Sequence, residues 1–141
     1  MDRDRILRID GLNGEFLEFR DTTPFDQPEG WKPRWHLEAQ SRLGDDSGVT
    51  LSMELWDCEP TWLALFQGQL VEACFHATGG AHLATGSYPD VNLQITFIDE
   101  TGRAVVSLET WEADQQLGLK FTTDENLLQL ALDELGAFLT R

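Results

Sequence analysis

Apolar and polar side chains alternate along much of this chain, and this pattern constrains the fold more than any other feature. Residues 35–43 and 49–55 each place their apolar side chains on one face of a strand and their polar side chains on the other. The pattern continues in residues 81–85, 91–98, 103–112 and 117–122. This alternation predicts a sheet with one buried face and one face open to water.

The first 33 residues predict a hairpin followed by a long loop. Two short β-like runs, residues 6–9 and 15–19, flank a turn rich in glycine. Three prolines within residues 21–33 exclude a helix and an interior strand there. Two aromatic side chains of this loop, Phe25 and Trp31, are expected to anchor it to the body of the protein.

Two helices complete the predicted elements. Pro60 suits the first turn of a helix whose apolar residues recur at three- and four-residue spacing to about Phe75. Thr122 and Glu125 form a capping-box pattern before a second, C-terminal helix. We therefore expect an α+β fold: a single mostly antiparallel sheet with two helices on one face, preceded by an N-terminal hairpin. Residues 1–141 are expected to form a single domain.

The chain is strongly acidic, and the excess is concentrated in its middle. Its formal net charge is −15, and the window between Arg42 and Arg103 holds nine acidic residues and no lysine or arginine. A field of this sign repels nucleic acid and anionic membranes, and it speeds encounter with basic proteins. We therefore expect a basic protein partner, and neither nucleic acid nor a membrane.

Sequence features predict a cytoplasmic location. The start of the chain lacks the apolar region of a signal peptide, and no apolar run approaches the roughly 18 residues that span a bilayer. Cys58 and Cys74 flank the first predicted helix, which separates their sulfurs by roughly 24 Å and excludes a bridge between them. Free cysteines without an export signal are typical of a reducing cytoplasm.

No residue pattern predicts catalysis or a cofactor. Cys74, His76 and His82 lack a fourth ligand and the spacing of a zinc site, and no nucleophile elbow or phosphate-binding loop occurs. We therefore expect a protein that is not an enzyme. Glu54 and Glu109 could form the carboxylate pair of a glycosidase if their strands lie close, which keeps a small hydrolase as an alternative. An acidic inhibitor that mimics nucleic acid is a second alternative.

Two tryptophans stand at outward strand positions, where alternation predicts polar residues. Acidic residues flank both Trp56 and Trp111. An exposed tryptophan surrounded by charged residues is typical of a protein-binding hot spot. We therefore expect the open face of the sheet to be a protein-binding surface. Its predicted contact residues are His36, Glu38, Glu54, Trp56, Glu109 and Trp111.

Two segments carry a family resemblance that spans about residues 34–140. One is Trp62-Leu63-x-x-Phe66-x-x-x-Leu70 after a hydrophobic strand, and the other is Phe121-Thr122-Thr123-Asp124-x-x-Leu127 before the last helix. Both resemble the WapI-type immunity proteins, which are small bacterial cytoplasmic proteins encoded beside polymorphic or contact-delivered toxins. The resemblance implies a non-catalytic protein that neutralises a cognate toxin by direct contact.

Overall fold

The structure, a computed structural model, describes residues 4–26, 28, 30–43, 47–112 and 115–141. Within these residues the chain forms eight strands and two helices. Their bounds are β1 (Arg5–Asp10), β2 (Phe16–Asp21), β3 (Trp35–Leu43), β4 (Ser47–Leu55), α1 (Pro60–His76), β5 (Gly80–Thr85), β6 (Asp90–Phe97), β7 (Arg103–Glu112), β8 (Gln115–Asp124) and α2 (Glu125–Leu139).

The strands form two antiparallel sheets of four strands each, in the orders β1-β2-β3-β4 and β5-β6-β7-β8. The expectation of a single sheet with both helices on one face is therefore wrong. β1 and β2 pair as a hairpin, but this hairpin is part of the first sheet and does not precede it. Alternation identifies the side chains that share a face of a strand. It does not identify the neighbouring strand, so the sequence could not distinguish one sheet from two.

The two halves of the chain repeat one order of elements, four strands followed by a helix, and each helix packs on the other half. α1 follows the first sheet but packs on β5, whereas α2 follows the second sheet and packs on β1. The helices also pack on each other. As a result, inward side chains of both sheets and both helices form one hydrophobic cluster, in which Phe19, Trp35 and Phe66 are fully buried.

Helix α1 carries apolar residues on two sides. Pro60 stands in its first turn, as the sequence predicted, and its buried side includes Leu63, Phe66 and Leu70. The opposite side carries large apolar residues that are more than half exposed: Leu65 (68%), Val71 (51%) and Phe75 (83%). The predicted apolar stripe is therefore present, but the opposite side mixes apolar residues with exposed polar ones such as Glu72 and His76.

Helix α2 begins later than the capping-box pattern predicted. Thr122 still belongs to β8, which pairs with β7 as far as Asp124. The cap is Asp124, whose carboxylate accepts a hydrogen bond from the Leu127 backbone N–H at 2.9 Å. Strand pairing therefore overrode the local capping signal.

The proline-rich loop between β2 and β3 is held by polar contacts at its ends. The Thr22 N–H donates to the Arg34 carbonyl at 2.9 Å, and the Arg34 N–H donates to Thr23 Oγ1 at 3.0 Å. Phe25 is fully exposed and Trp31 is 65% exposed. The expectation that these two aromatic side chains anchor the loop is therefore wrong.

Both cysteines are free and buried. Burial raises the pKa of the Cys58 thiol to about 12 and that of the Cys74 thiol to about 11, so both thiols are protonated at neutral pH. Among the described residues, no helix combines the length and the apolar character needed to cross a membrane.

Candidate functional site

Two of the predicted contact residues, His36 and Glu54, bind each other on the outer face of the first sheet. They pair across β3 and β4, and His36 Nδ1 lies 2.9 Å from Glu54 Oε1. Glu54 Oε2 accepts a hydrogen bond from Thr22 Oγ1 at 2.9 Å and lies 3.5 Å from Arg34 Nε. The charge of Glu54 is therefore compensated within its own sheet.

A third predicted residue, Glu38, lies on the same face and pairs across the strands with Glu18. Glu18 is only 3% exposed, and three arginines bind its carboxylate. The nitrogen–oxygen distances are 3.3 Å to Arg5, 3.2 Å to Arg8 and 2.6 Å to Arg20. The outer face of the first sheet therefore carries a charge network that is largely balanced.

Glu109 and Trp111 lie on the outer face of the second sheet, not beside Glu54. Glu109 pairs with Asn92 and Gly118 and lines two cavities of about 330 and 260 Å³. Of the described residues that line these cavities, Glu109 is the one carboxylate. Glu54 and Glu109 thus stand on different sheets, although their strands meet where Thr110 Oγ1 lies 3.5 Å from Met53 Sδ.

The metal-binding pattern considered at Cys74, His76 and His82 has no counterpart in the described part of the chain. There, no three or more histidine, cysteine or acidic side chains gather in a way that could hold a metal ion. Cys74 is buried in the core, whereas His76 and His82 are exposed.

Trp56 lies at the seam between the two sheets. It follows β4 directly and exchanges both backbone hydrogen bonds with Tyr88, at 2.9 and 3.0 Å. Residues paired in this way place their side chains on the same face of the ribbon. Trp56 is 48% exposed and Tyr88 is 76% exposed. The bridge therefore sets an exposed indole beside an exposed phenol.

Buried hydroxyl groups fix the loop that carries Tyr88. Thr85 Oγ1 accepts a hydrogen bond from the Val91 N–H at 3.0 Å, and Ser87 Oγ donates to the Pro89 carbonyl at 2.8 Å. The two hydroxyl oxygens lie 2.7 Å apart. These satisfied polar groups fix the backbone on both sides of Tyr88.

Two further exposed tryptophans lie near this pair. Trp31 and Trp56 line a common cavity of about 470 Å³. Trp111, 39% exposed, pairs with Asp90, which lies two residues beyond Tyr88, so the Cα atoms of Trp111 and Tyr88 are within roughly 10 Å. We call this surface the aromatic band. Its residues are Trp31, Trp56, Tyr88 and Trp111.

Sequence reasoning identified half of the aromatic band. The outward phase of Trp56 and Trp111 followed from alternation. Trp31 was expected to face the body, because a large apolar side chain in a loop usually anchors it. Tyr88 was missed because its pairing joins residues that are 32 positions apart. The neighbouring Pro89 indicated a turn at Tyr88, but nothing in the sequence indicated that this turn pairs with Trp56.

Comparisons with known proteins assign no family to this chain. It matches no protein-family model, no curated protein and no solved structure. The similarity to the WapI-type immunity proteins therefore stays a prediction from the sequence.

Proposed function

We propose that this chain is a non-catalytic acidic binding protein that neutralises a basic toxin domain by direct contact in the bacterial cytoplasm. The aromatic band is the observation that carries the proposal. Tryptophan and tyrosine dominate the binding energy of protein interfaces, since they bury a large area and lose little side-chain entropy. A toxin as the partner follows from the resemblance to the WapI-type immunity proteins.

The charges beside the band favour a basic partner. Asp57 and Asp90 are both exposed and adjoin band residues. They belong to the segment of the chain that contains no lysine or arginine, residues 43–102. Acidic side chains around an aromatic centre raise the association rate with a basic protein, while the aromatic contacts slow its dissociation.

We propose that the aromatic band is the centre of the interface and that the face of the first sheet lies at its rim. His36 and Glu54 already bind each other, and Glu54 also contacts Arg34. Their substitution would disturb contacts within the chain. Asp90 and Trp56 are exposed and serve as better probes, although the Arg34 guanidinium also packs on the Trp56 ring.

Binding kinetics test the proposal. The probe is a toxin domain from the gene directly upstream, where that gene encodes one, and binding is measured by biolayer interferometry. We expect a dissociation constant on the order of nanomolar, and an association rate that falls steeply between 50 and 500 mM salt, roughly tenfold or more. Trp56→Ala should increase the dissociation rate roughly 30-fold, as for a hot-spot residue. Asp90→Asn should mainly slow association.

Leu130→Ala is the matched control, because Leu130 is 60% exposed on α2 and lies outside the band. It should leave both rate constants unchanged. The absence of binding to the toxin domain would contradict the proposed function. An equal loss in the Leu130 and Trp56 variants would contradict the proposed interface.

A further inference from the structure

The cavity between Trp31 and Trp56 has the form of a side-chain pocket. Its lining comprises Gly30, Trp31, Lys32, Arg34, Trp56 and Asp57, and its volume of about 470 Å³ suits a small ligand group. Both indoles are exposed, so a guest can reach them from solvent. We call it the tryptophan pocket.

The two cations that line this pocket are already engaged within the chain. Lys32 Nζ lies 3.1 Å from Glu59 Oε1. Arg34 donates from Nη2 to the Thr22 carbonyl at 3.1 Å. Its Nε is buried and lies 3.5 Å from Glu54, so that atom is not available to a guest.

The remaining charge of the lining is negative. Asp57 is exposed, and no hydrogen bond or ion pair engages its carboxylate in the part of the chain that the structure describes. After burial itself, the charges of Asp57, Asp21 and Glu54 further raise the pKa of the adjacent Cys58 thiol. With Lys32 and Arg34 engaged by other groups of the chain, Asp57 is the charged side chain of the lining that can attract a cation.

The pocket already shows how a cation can be held there. The Arg34 guanidinium carbon lies 4.9 Å from the centre of the Trp56 ring, within the range of a cation–π contact. Trp31 supplies a second indole that no cation of the described chain covers. A guest cation between the two indoles would gain contact with their π systems and with the Asp57 carboxylate.

Asp57 adopts a backbone conformation that glycine would tolerate better. Its φ is +59°, in the left-handed region, although it carries a side chain. Strained residues of this kind cluster at binding and catalytic sites. Asp57 thus carries a carboxylate at a position where the backbone conformation alone would favour glycine.

We propose that the tryptophan pocket binds a cationic side chain, an arginine or lysine of the partner, between Trp31 and Trp56 and against Asp57. This inference rests on the proposed function, since it names the part of a basic partner that the aromatic band recognises. The pocket would act as the specific anchor point within a larger contact.

The test uses the intact chain and small probes, so it does not depend on the toxin. N-acetyl-arginine methylamide is titrated while the indole N–H signals of the five tryptophans are followed by NMR. We expect saturable shifts at Trp31 and Trp56, with a dissociation constant on the order of millimolar, and no shift at buried Trp35. The corresponding lysine derivative should bind more weakly at the same two signals. N-acetyl-citrulline methylamide, the neutral isostere, should give no saturable shift.

Asp57 variants separate charge from backbone strain. Asp57→Asn tolerates the left-handed conformation and should weaken binding of the arginine probe about two- to fivefold. Asp57→Gly relieves the backbone strain, so this variant should be at least as stable as the parent chain. Its affinity for the arginine probe should fall as much as in Asp57→Asn. Full affinity in both variants would overturn the role of Asp57.

Equal shifts with the citrulline probe, or no saturable shift at Trp31 and Trp56, would overturn the proposal. Saturable binding of inorganic phosphate at both signals would assign the pocket to an anion instead. If the arginine probe binds but the toxin domain does not, the pocket stands and the proposed function fails. If the toxin domain binds Trp31→Ala as tightly as the parent chain, the function stands and the pocket fails.

Discussion

Glu18 is a buried carboxylate on the solvent side of a sheet, a position that usually carries exposed polar residues. Burying an ion is costly unless opposite charges and hydrogen bonds surround it. Arg5, Arg8 and Arg20 supply both, and they amount to three of the ten basic residues of the chain. Concentrating three cations around this one residue leaves few for the acids of residues 43–102, of which Glu54 pairs with Arg34 and Glu59 with Lys32.

Glu18→Gln should destabilise the protein by about 2–4 kcal/mol. The substitution leaves three guanidinium groups around a neutral amide, and only part of their mutual repulsion stays balanced, by Glu134 beside Arg5 and Asp10 beside Arg8. The expected value lies toward the lower end of the range for buried ion pairs, because the arginines are about 30% exposed. Urea denaturation would measure the change in the free energy of unfolding.

Glu38→Gln is the control for this substitution. Glu38 pairs with Glu18 on the same face, but no hydrogen bond or ion pair involves it among the described residues. Its substitution should change the free energy of unfolding by less than about 0.5 kcal/mol. Equal effects of the two substitutions would show that the arginine network does not stabilise the fold.

At the scale of elements, α1 is unusual because its exposed side carries large apolar residues beside polar ones. Phe66 is fully buried, whereas Phe75, nine positions later, is 83% exposed. Burial, and not residue type, therefore determines what each phenylalanine contributes to stability.

Phe66→Ala should cost about 3–5 kcal/mol, since it leaves a cavity in the core that both halves share. Phe75→Ala should change the free energy of unfolding by less than about 0.5 kcal/mol. Chemical denaturation of both variants measures the two changes in the free energy of unfolding. The same substitution is thereby compared at a buried and an exposed position of one helix. A large loss in the Phe75 variant would mean that the outer side of α1 is covered in the free protein.

The elements themselves were largely predictable from the sequence, and their arrangement was not. β7 has the predicted bounds, 103–112, and α1 ends one residue beyond the prediction, because alternation, proline and glycine act locally. The number of sheets depends on pairing between distant strands, which leaves no local pattern. At the site, alternation predicted that the side chains of Trp56 and Trp111 point outward. The bridge to Tyr88 and the left-handed Asp57 arise from long-range packing.

At the scale of the whole molecule, the exchange of helices makes each half depend on the other. α2 covers β1, and α1 covers β5. A half without its counterpart would expose the inward face of its sheet and one side of its helix. Neither half therefore has a complete hydrophobic core of its own.

Separate fragments, 1–76 and 77–141, should each lack a cooperative unfolding transition and should recover one when they are mixed. The break lies after α1, so it divides no strand or helix. Circular dichroism of each fragment and of the equimolar mixture would measure this. Cooperative unfolding of the first fragment alone would show that its sheet is stable without α2.

The aromatic band draws on both halves, because the bridge between Trp56 and Tyr88 crosses the seam between them. A molecule bound there would contact the N-terminal and the C-terminal half at the same time and would hold them together. Binding would then raise the free energy of unfolding of the whole chain. The increase is about 2.7 kcal/mol when the free ligand concentration is a hundred times the dissociation constant. Under the proposed function, the bound partner would also slow the unfolding and degradation of this chain.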